Sequence, residues 1–315
     1  PIISKEISTS NGHVLQLGVD DDVIYEIPKG KERTTEKLRN EFIRICSEIR
    51  KKDGLPQVNH PFDVSFSTRY NSEFWDMVEI FESMEIWNGA TPFAAGTINA
   101  KAFKKWLSLL DEGKRLTATT GSDTHNIYGD DYFGMTEWLD WLMDIVMKHP
   151  EIYPVHMNEN VAYLTWLYNK VWPRLLSWVE QSNTPSTIHN YVYTNGKNQP
   201  QEILQAIREG HSFISNGPLV TAEVNGVSYG EKAVLKDRTG TLSVHVFSKK
   251  PINHLWMYTG ADKKVELCAK ADAAEGGFMY DIAADELDFG DAAWVLFVAD
   301  GGENNLAISN PILFA

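Results

Sequence analysis

The chain has 315 residues, 43% of them hydrophobic, with a formal net charge of −14. That length affords a sizeable core in one large domain or two ordinary ones, and the apolar share excludes a disordered chain. The acidic balance argues against nucleic acid or an anionic membrane as partner, because both need a basic surface.

No apolar run approaches the ~18–20 residues of a membrane span. The cysteines, Cys46 and Cys268, are too few and too far apart for a disulfide scaffold or a cysteine zinc site. The opening "PIISKEIST" lacks the basic-then-apolar character of a signal peptide and reads as the inside of a folded domain. A targeting segment would lie upstream of Pro1, and a periplasmic or extracellular location is compatible with the residues shown.

Residues 1–20 predict two short strands, "PIISKEIST" and "HVLQLGV", joined by a turn at Ser10-Asn11-Gly12. Thr34-Thr35 caps a helix that runs to about Lys51, with Leu38, Phe42, Ile45 and Ile49 on one face. A short strand in "LPQVNHPFD" then ends in a polar loop. A helix around Phe74, Trp75 and Met77 follows, then a strand in "MEIWNG", a helix over Ala100–Leu110 and the strand-like "LTATTG". Helix alternating with short apolar strand predicts βα units and a parallel sheet or barrel.

Residues 136–180 break that rhythm with a tryptophan-rich helical pattern interrupted at Pro173. Its aromatic stripe reads as core packing or as the face of a homo-oligomer. "QPQEILQAIREGHSFISNGP" predicts a helix followed by a loop. From Leu219 onward, strand-like runs alternate with Gly, Asn and Asp turns, which fits a small antiparallel β-sandwich after a boundary near Gly217-Pro218.

Of nine histidines, His149, His156, His189, His245 and His254 have no acidic partner at a telling spacing. His13, His60 and His125 sit instead at strand ends in polar contexts. In parallel α/β architectures, residues past the carboxyl ends of strands converge on one face, where active sites form. Asp123 and His125, two apart on an extended segment, point the same way and suit Zn, Mn or Fe. Glu6, one strand before His13, supplies a carboxylate able to bridge two cations. Such a set of ligands is what a polynuclear hydrolytic site requires.

In order, "KEIST…GHVLQLGV", "NHPFD", "MEIWNG" and "TGSDTHN" resemble the polymerase-and-histidinol-phosphatase (PHP) superfamily of metal-dependent phosphoesterases. The later "EILQAIREGHSFISNGP" and "AISNPILF" resemble its CehA/McbA branch, which carries a β-rich C-terminal domain. The resemblance implies an α/β fold: a distorted (β/α)7 barrel over 1–217, with a helical insertion at about 136–180, and a β-sandwich over 218–315. It implies two or three divalent metals held by Glu6, His13, His60, Asp123 and His125, activating a hydroxide to hydrolyse a small-molecule phosphoester or related ester. Asp123 alternatively holds or accepts the nucleophile's proton. Glu85 and Asn88, with Asn126, His211 and Asn216, are the candidates for supporting the ligands or binding substrate.

The chain departs from the family at two points. The family's opening His-x-His strand has no counterpart after Pro1, so the barrel expected here is incomplete at its N-terminal side. His211 stands where the branch usually has Arg, a titratable group in place of a permanent cation. A degenerate, noncatalytic PHP scaffold whose β-sandwich binds carbohydrate or a protein partner is the competing expectation.

Overall fold

The computed structural model describes residues 2–9, 11–25, 34–63, 69–89, 93–123, 188–267, 271–302 and 305–315. The helices expected over 136–180, with His125 and Asn126, lie outside these residues. Contacts divide the chain into two compact units. One comprises Pro1–Asn88, Pro92–Gly121 and Ile188–Ala315, and the other Gly89–Thr91 and Ser122–Thr187. The elements below all belong to the first unit.

β1 (Ser4–Thr9) and β2 (Gly12–Leu17) form the expected hairpin. Gly12 is obligatory at its turn: φ is +124°, and an added Cβ would lie 2.9 Å from the Tyr70 Cα. β2 pairs antiparallel with β3 (Leu55–Asn59), and β3, β4 (Ser83–Asn88) and β5 (Thr117–Gly121) follow in parallel. The described residues do not show a (β/α)7 barrel. They form an open five-stranded sheet in the order β1-β2-β3-β4-β5, with few helices beside it.

α1 (Thr35–Lys51) starts where its cap predicts, the Thr34 hydroxyl accepting the Lys37 N–H at 3.3 Å. It buries Leu38, Phe42, Ile45, Cys46 and Ile49, the i, i+3/i+4 face read from the sequence. The segment expected as a helix around Phe74 is a 3-10 helix over Ser72–Ile80, with Phe74 and Met77 three apart and both buried. That spacing matches three residues per turn, which stacks i and i+3 on one side. α2 (Ile98–Asp111) returns the chain from β4 to β5.

β6 (His189–Val192), α3 (Pro200–Arg208) and β7 (Ser212–Ser215) follow. Here the expected loop "HSFISNGP" contains a strand, β7, buried along its whole length and hydrogen-bonded on both sides. The remaining strands are β8 (Leu219–Val224), β9 (Lys232–Ala233), β10 (Thr239–Ser248), β11 (His254–Gly260), β12 (Lys263–Glu266), β13 (Ala271–Ala274), β14 (Gly277–Asp288), β15 (Trp294–Asp300), β16 (Leu306–Ser309) and β17 (Ile312–Phe314). One sheet runs β13-β14-β10-β8. Another runs β12-β11-β15-β16-β7-β6, with β17 beside β15 and β9 beside β17.

These two sheets share one core, into which β8 and β10 point Val220, Val224, Val244 and Val246, and β15 points Val295, Phe297 and Ala299. The other face of β15, Trp294, Leu296 and Val298, enters the core of the five-stranded sheet and its helices. A strand buried on both faces reads as a continuous apolar run rather than an alternating one, which is the character of "WVLFVA". Residues on either side of Gly217-Pro218 therefore share layers, since β7 pairs with β16. Asn310, fully buried, clamps the junction. It accepts the Ala118 N–H at 2.7 Å and donates to the Ala118 and Ser212 carbonyls.

Candidate metal centre

Strand alternation puts Glu6 and Ser8 of β1 on the same face as His13 of β2, and pairing sets His13 opposite Ser8 and Asn59. Glu6 and His13 are thus diagonal neighbours across the hairpin, close enough for long side chains to meet. His60 follows β3 directly. Its φ of +23° is unusual for a residue with a Cβ, and its N–H donates to Glu85 Oε2 on β4 at 2.7 Å. Glu85 is 3% exposed, and an added Cβ at Gly121 would lie 2.8 Å from its Oε1, so this carboxylate is fixed from two sides.

The outcome is a cluster. One ligand atom from each of Glu6, His13 and His60 lies within 4.8 Å of the others. Ligand atoms about 2.0–2.2 Å from a tetrahedral zinc lie roughly 3.3–3.6 Å apart, so modest side-chain adjustment within this span would bring the three onto one ion. His13 Nδ1 is 2.6 Å from Glu6 Oε1 yet makes no hydrogen bond among the described residues. His60 Nε2 is 3.4 Å from Glu6 Oε2, while its Nδ1 faces Asp63 Oδ2 at 3.9 Å. The two rings meet edge to face with centroids 5.0 Å apart.

Behind the cluster lies a buried polar network. Asn59 Nδ2 donates to Glu6 Oε2 at 2.6 Å, and Gln57 Nε2 donates to Asn59 Oδ1 at 2.8 Å. The hydroxyls of Ser83 and Thr119 both donate to Gln57 Oε1. Each of these four residues is buried. Such outer partners orient metal-binding side chains and hold their charge state. Burial pushes the Glu6 carboxyl up, but the close approach of His13 and His60 and the hydrogen bond from Asn59 outweigh it and hold the group well below the usual carboxylate range. Glu6 is therefore an anion at neutral pH, the form that binds cations.

Gln57, Asn59 and Asp63 escaped the sequence reading. A signal existed in "LPQVN", where Gln57 and Asn59 stand two apart, a polar alternation inside a strand that otherwise reads as apolar. Of the residues the sequence singled out, Glu6, His13 and His60 are brought together, with Glu85 behind them. Asn88 is buried at the end of β4, where its backbone N–H and carbonyl bond the Asn99 amide. Asp123 lies two residues past β5, exposed, with φ +52°, and belongs to the second compact unit.

His211 and Asn216 flank β7 on either side. His211 lines a cavity with Leu116 and Thr117, at the amino end of β5, the end opposite that of the ligand cluster on the parallel strands. Its Nδ1 faces Glu209 Oε2 at 3.5 Å. Asn216 ties the end of β7 to β16, its Oδ1 accepting the Leu306 N–H at 2.7 Å. The strand formed by "SFIS" separates the two residues and pairs with β6 and β16 rather than within the five-stranded sheet. Among the described residues, no helix is long and apolar enough to cross a membrane. No protein-family model, curated protein or solved structure matches the chain.

Proposed function

We propose that this protein is a metal-dependent hydrolase of phosphoester or related ester bonds, of the PHP type its motifs resemble. The observation that carries this reading is the convergence of Glu6, His13 and His60 on one point, backed by a buried network that has no other evident purpose on a sheet face. Two imidazoles and a carboxylate suit Zn, Mn or Fe. A divalent cation, when bound, supplies Lewis acidity and lowers the pKa of water.

The chain's own part is to hold the ligands. Asn59 fixes one oxygen of Glu6, leaving the other toward His13. Glu85 fixes the backbone of His60, and Asp63 faces the ring nitrogen turned away from Glu6. By resemblance alone, Asp123 and His125 are the further candidate ligands, with Asp123 also able to take a proton from the nucleophile.

The test is metal analysis of the purified chain, followed by assay against a panel of phosphate and carbamate esters. Bound transition metal, lost in a His13→Ala/His60→Ala variant together with turnover, is the expected result. Protein reconstituted with Zn or Mn that stays inert toward the whole panel would support the scaffold reading instead.

A further inference from the structure

A second constellation stands on the outward face of the β13-β14-β10-β8 sheet, and it owes nothing to the metal cluster. β10 alternates strictly, burying Leu242, Val244 and Val246 and turning Ser243 and His245 outward. Asp281 on β14 stands directly opposite His245. His245 Nδ1 is 2.5 Å from Asp281 Oδ1, and His245 Nε2 is 3.0 Å from Ser243 Oγ. A carboxylate only accepts, so Nδ1 carries the proton; in the neutral imidazole Nε2 is then the acceptor to which the Ser243 hydroxyl donates. Nucleophile, base and orienting acid are thereby connected atom for atom as in a Ser-His-Asp triad.

The surroundings fit that role. Ser243 and His245 line a cavity of about 390 Å³, whereas Asp281 stands outside it, behind the imidazole. That volume lies within the usual range for small-ligand sites, about 300–1,000 Å³. Glu223, opposite Ser243 on β8, and Glu231 supply two carboxylates to the cavity, and no Lys or Arg lines it among the described residues. Tyr193 and Tyr229 add aromatic wall, and Asn195 adds a neutral amide donor.

We propose that Ser243, His245 and Asp281 form a second, metal-independent esterase site, selective for carboxylic esters that carry a positive charge. Ser243 Oγ attacks the ester carbonyl carbon while its proton passes to His245 Nε2. The bond to the alcohol oxygen breaks, and that oxygen takes the proton. Water then attacks the acyl-Ser243 ester, gives a proton to Nε2 and releases the carboxylic acid, which restores the serine. Asp281 holds the imidazole in the required tautomer throughout. Glu223 and Glu231 attract an ammonium group and repel anionic substrates, a preference opposite to that of a phosphoesterase.

The full chain, kept in EDTA so that the metal cluster is silent, is treated with a fluorophosphonate probe and mapped by mass spectrometry. An adduct on Ser243 is expected, forming about 10²–10⁴-fold more slowly in His245→Gln and in Asp281→Asn. Circular dichroism confirms that these exposed substitutions leave the sheet intact. Under the same conditions acetylthiocholine, which is cationic, is expected to turn over faster than neutral p-nitrophenyl acetate. Absence of a Ser243 adduct, or equal labelling in His245→Gln, overturns the site. Preference for the neutral ester overturns the assigned substrate class.

Discussion

Asn59→Ala tests whether the polar network behind the metal cluster does what its geometry implies. Asn59 is 7% exposed, donates to Glu6 Oε2 at 2.6 Å and accepts from Gln57 Nε2 at 2.8 Å. Loss of a hydrogen bond to a charged group costs about 1.5–3 kcal/mol, and the Glu6 side chain is 31% exposed, so water recovers part of it. Gln57, 4% exposed, then keeps an unsatisfied N–H, at about 1–3 kcal/mol. The sum is about 2–5 kcal/mol of destabilisation.

Glu6 also loses the partner that orients it, which lowers metal affinity by about 10–100-fold for a substitution of this kind. Urea denaturation of the metal-free chain reads the stability term, and calorimetric titration with Zn reads the affinity. Asn59→Asp separates the two contributions. It keeps the acceptor for Gln57 while setting a second carboxylate against Glu6, so repulsion appears without metal and lessens with it. An Asn59→Ala chain within about 0.5 kcal/mol of the parent, the scatter of ordinary surface changes, and with unchanged affinity would refute the reasoning.

Gly121→Ala places a Cβ 2.8 Å from Glu85 Oε1. A cost of about 1–3 kcal/mol is expected, along with weaker metal binding as Glu85 shifts from the His60 N–H; normal affinity by titration would sever that link. Asn310→Ala removes the clamp between β5 and β7, leaving the Ala118 N–H and carbonyl unpaired in the core, while the Ser212 carbonyl keeps the backbone N–H of residue 310. About 3–5 kcal/mol of destabilisation by urea denaturation is expected.

Burial raises the pKa values of Cys46, Tyr70 and Tyr229 above their ordinary values of 9.0, 10.0 and 10.0. Their neutral forms favour the fold, so the contribution is complete below those ordinary values, declines as pH rises past them and is lost as pH passes the raised native values. The melting temperature should accordingly fall from about pH 9 upward. In a Cys268→Ser chain, Cys46 should react with a thiol reagent only on unfolding, and fast reaction of the native chain would contradict its burial.

Much of the local structure was legible in the order of residues. Thr34 and the 3.6-residue spacing of Leu38, Phe42, Ile45 and Ile49 predict α1 because a cap and an apolar face are properties of consecutive residues. The β1–β2 hairpin was readable for the same reason, Asn11-Gly12 marking its turn. His13 and His60 were legible as candidate ligands because they stand at strand ends in polar contexts, Glu6 as a carboxylate one strand before His13, and resemblance set them in order.

What sequence alone determined, then, was chemistry and local conformation: which residues can bind a cation, and where helices and most strands begin. Tertiary structure decided everything that depends on a neighbour brought from afar. "SFIS" reads as loop by composition, yet pairing with β6 and β16 makes it a buried strand that sets His211 and Asn216 at its two ends. β15 is apolar on both faces because two cores meet on it; its continuous apolar run marks burial on both sides but not which layers supply it. Asn59 acquires its role only when pairing sets β3 beside the hairpin and brings Glu6 within 2.6 Å. His245, with no acidic residue at a telling spacing in the chain, receives Asp281 across a strand register. Hydrogen-bond partners and electrostatic neighbours are short-range in space but not in sequence, so the fold alone could assign them.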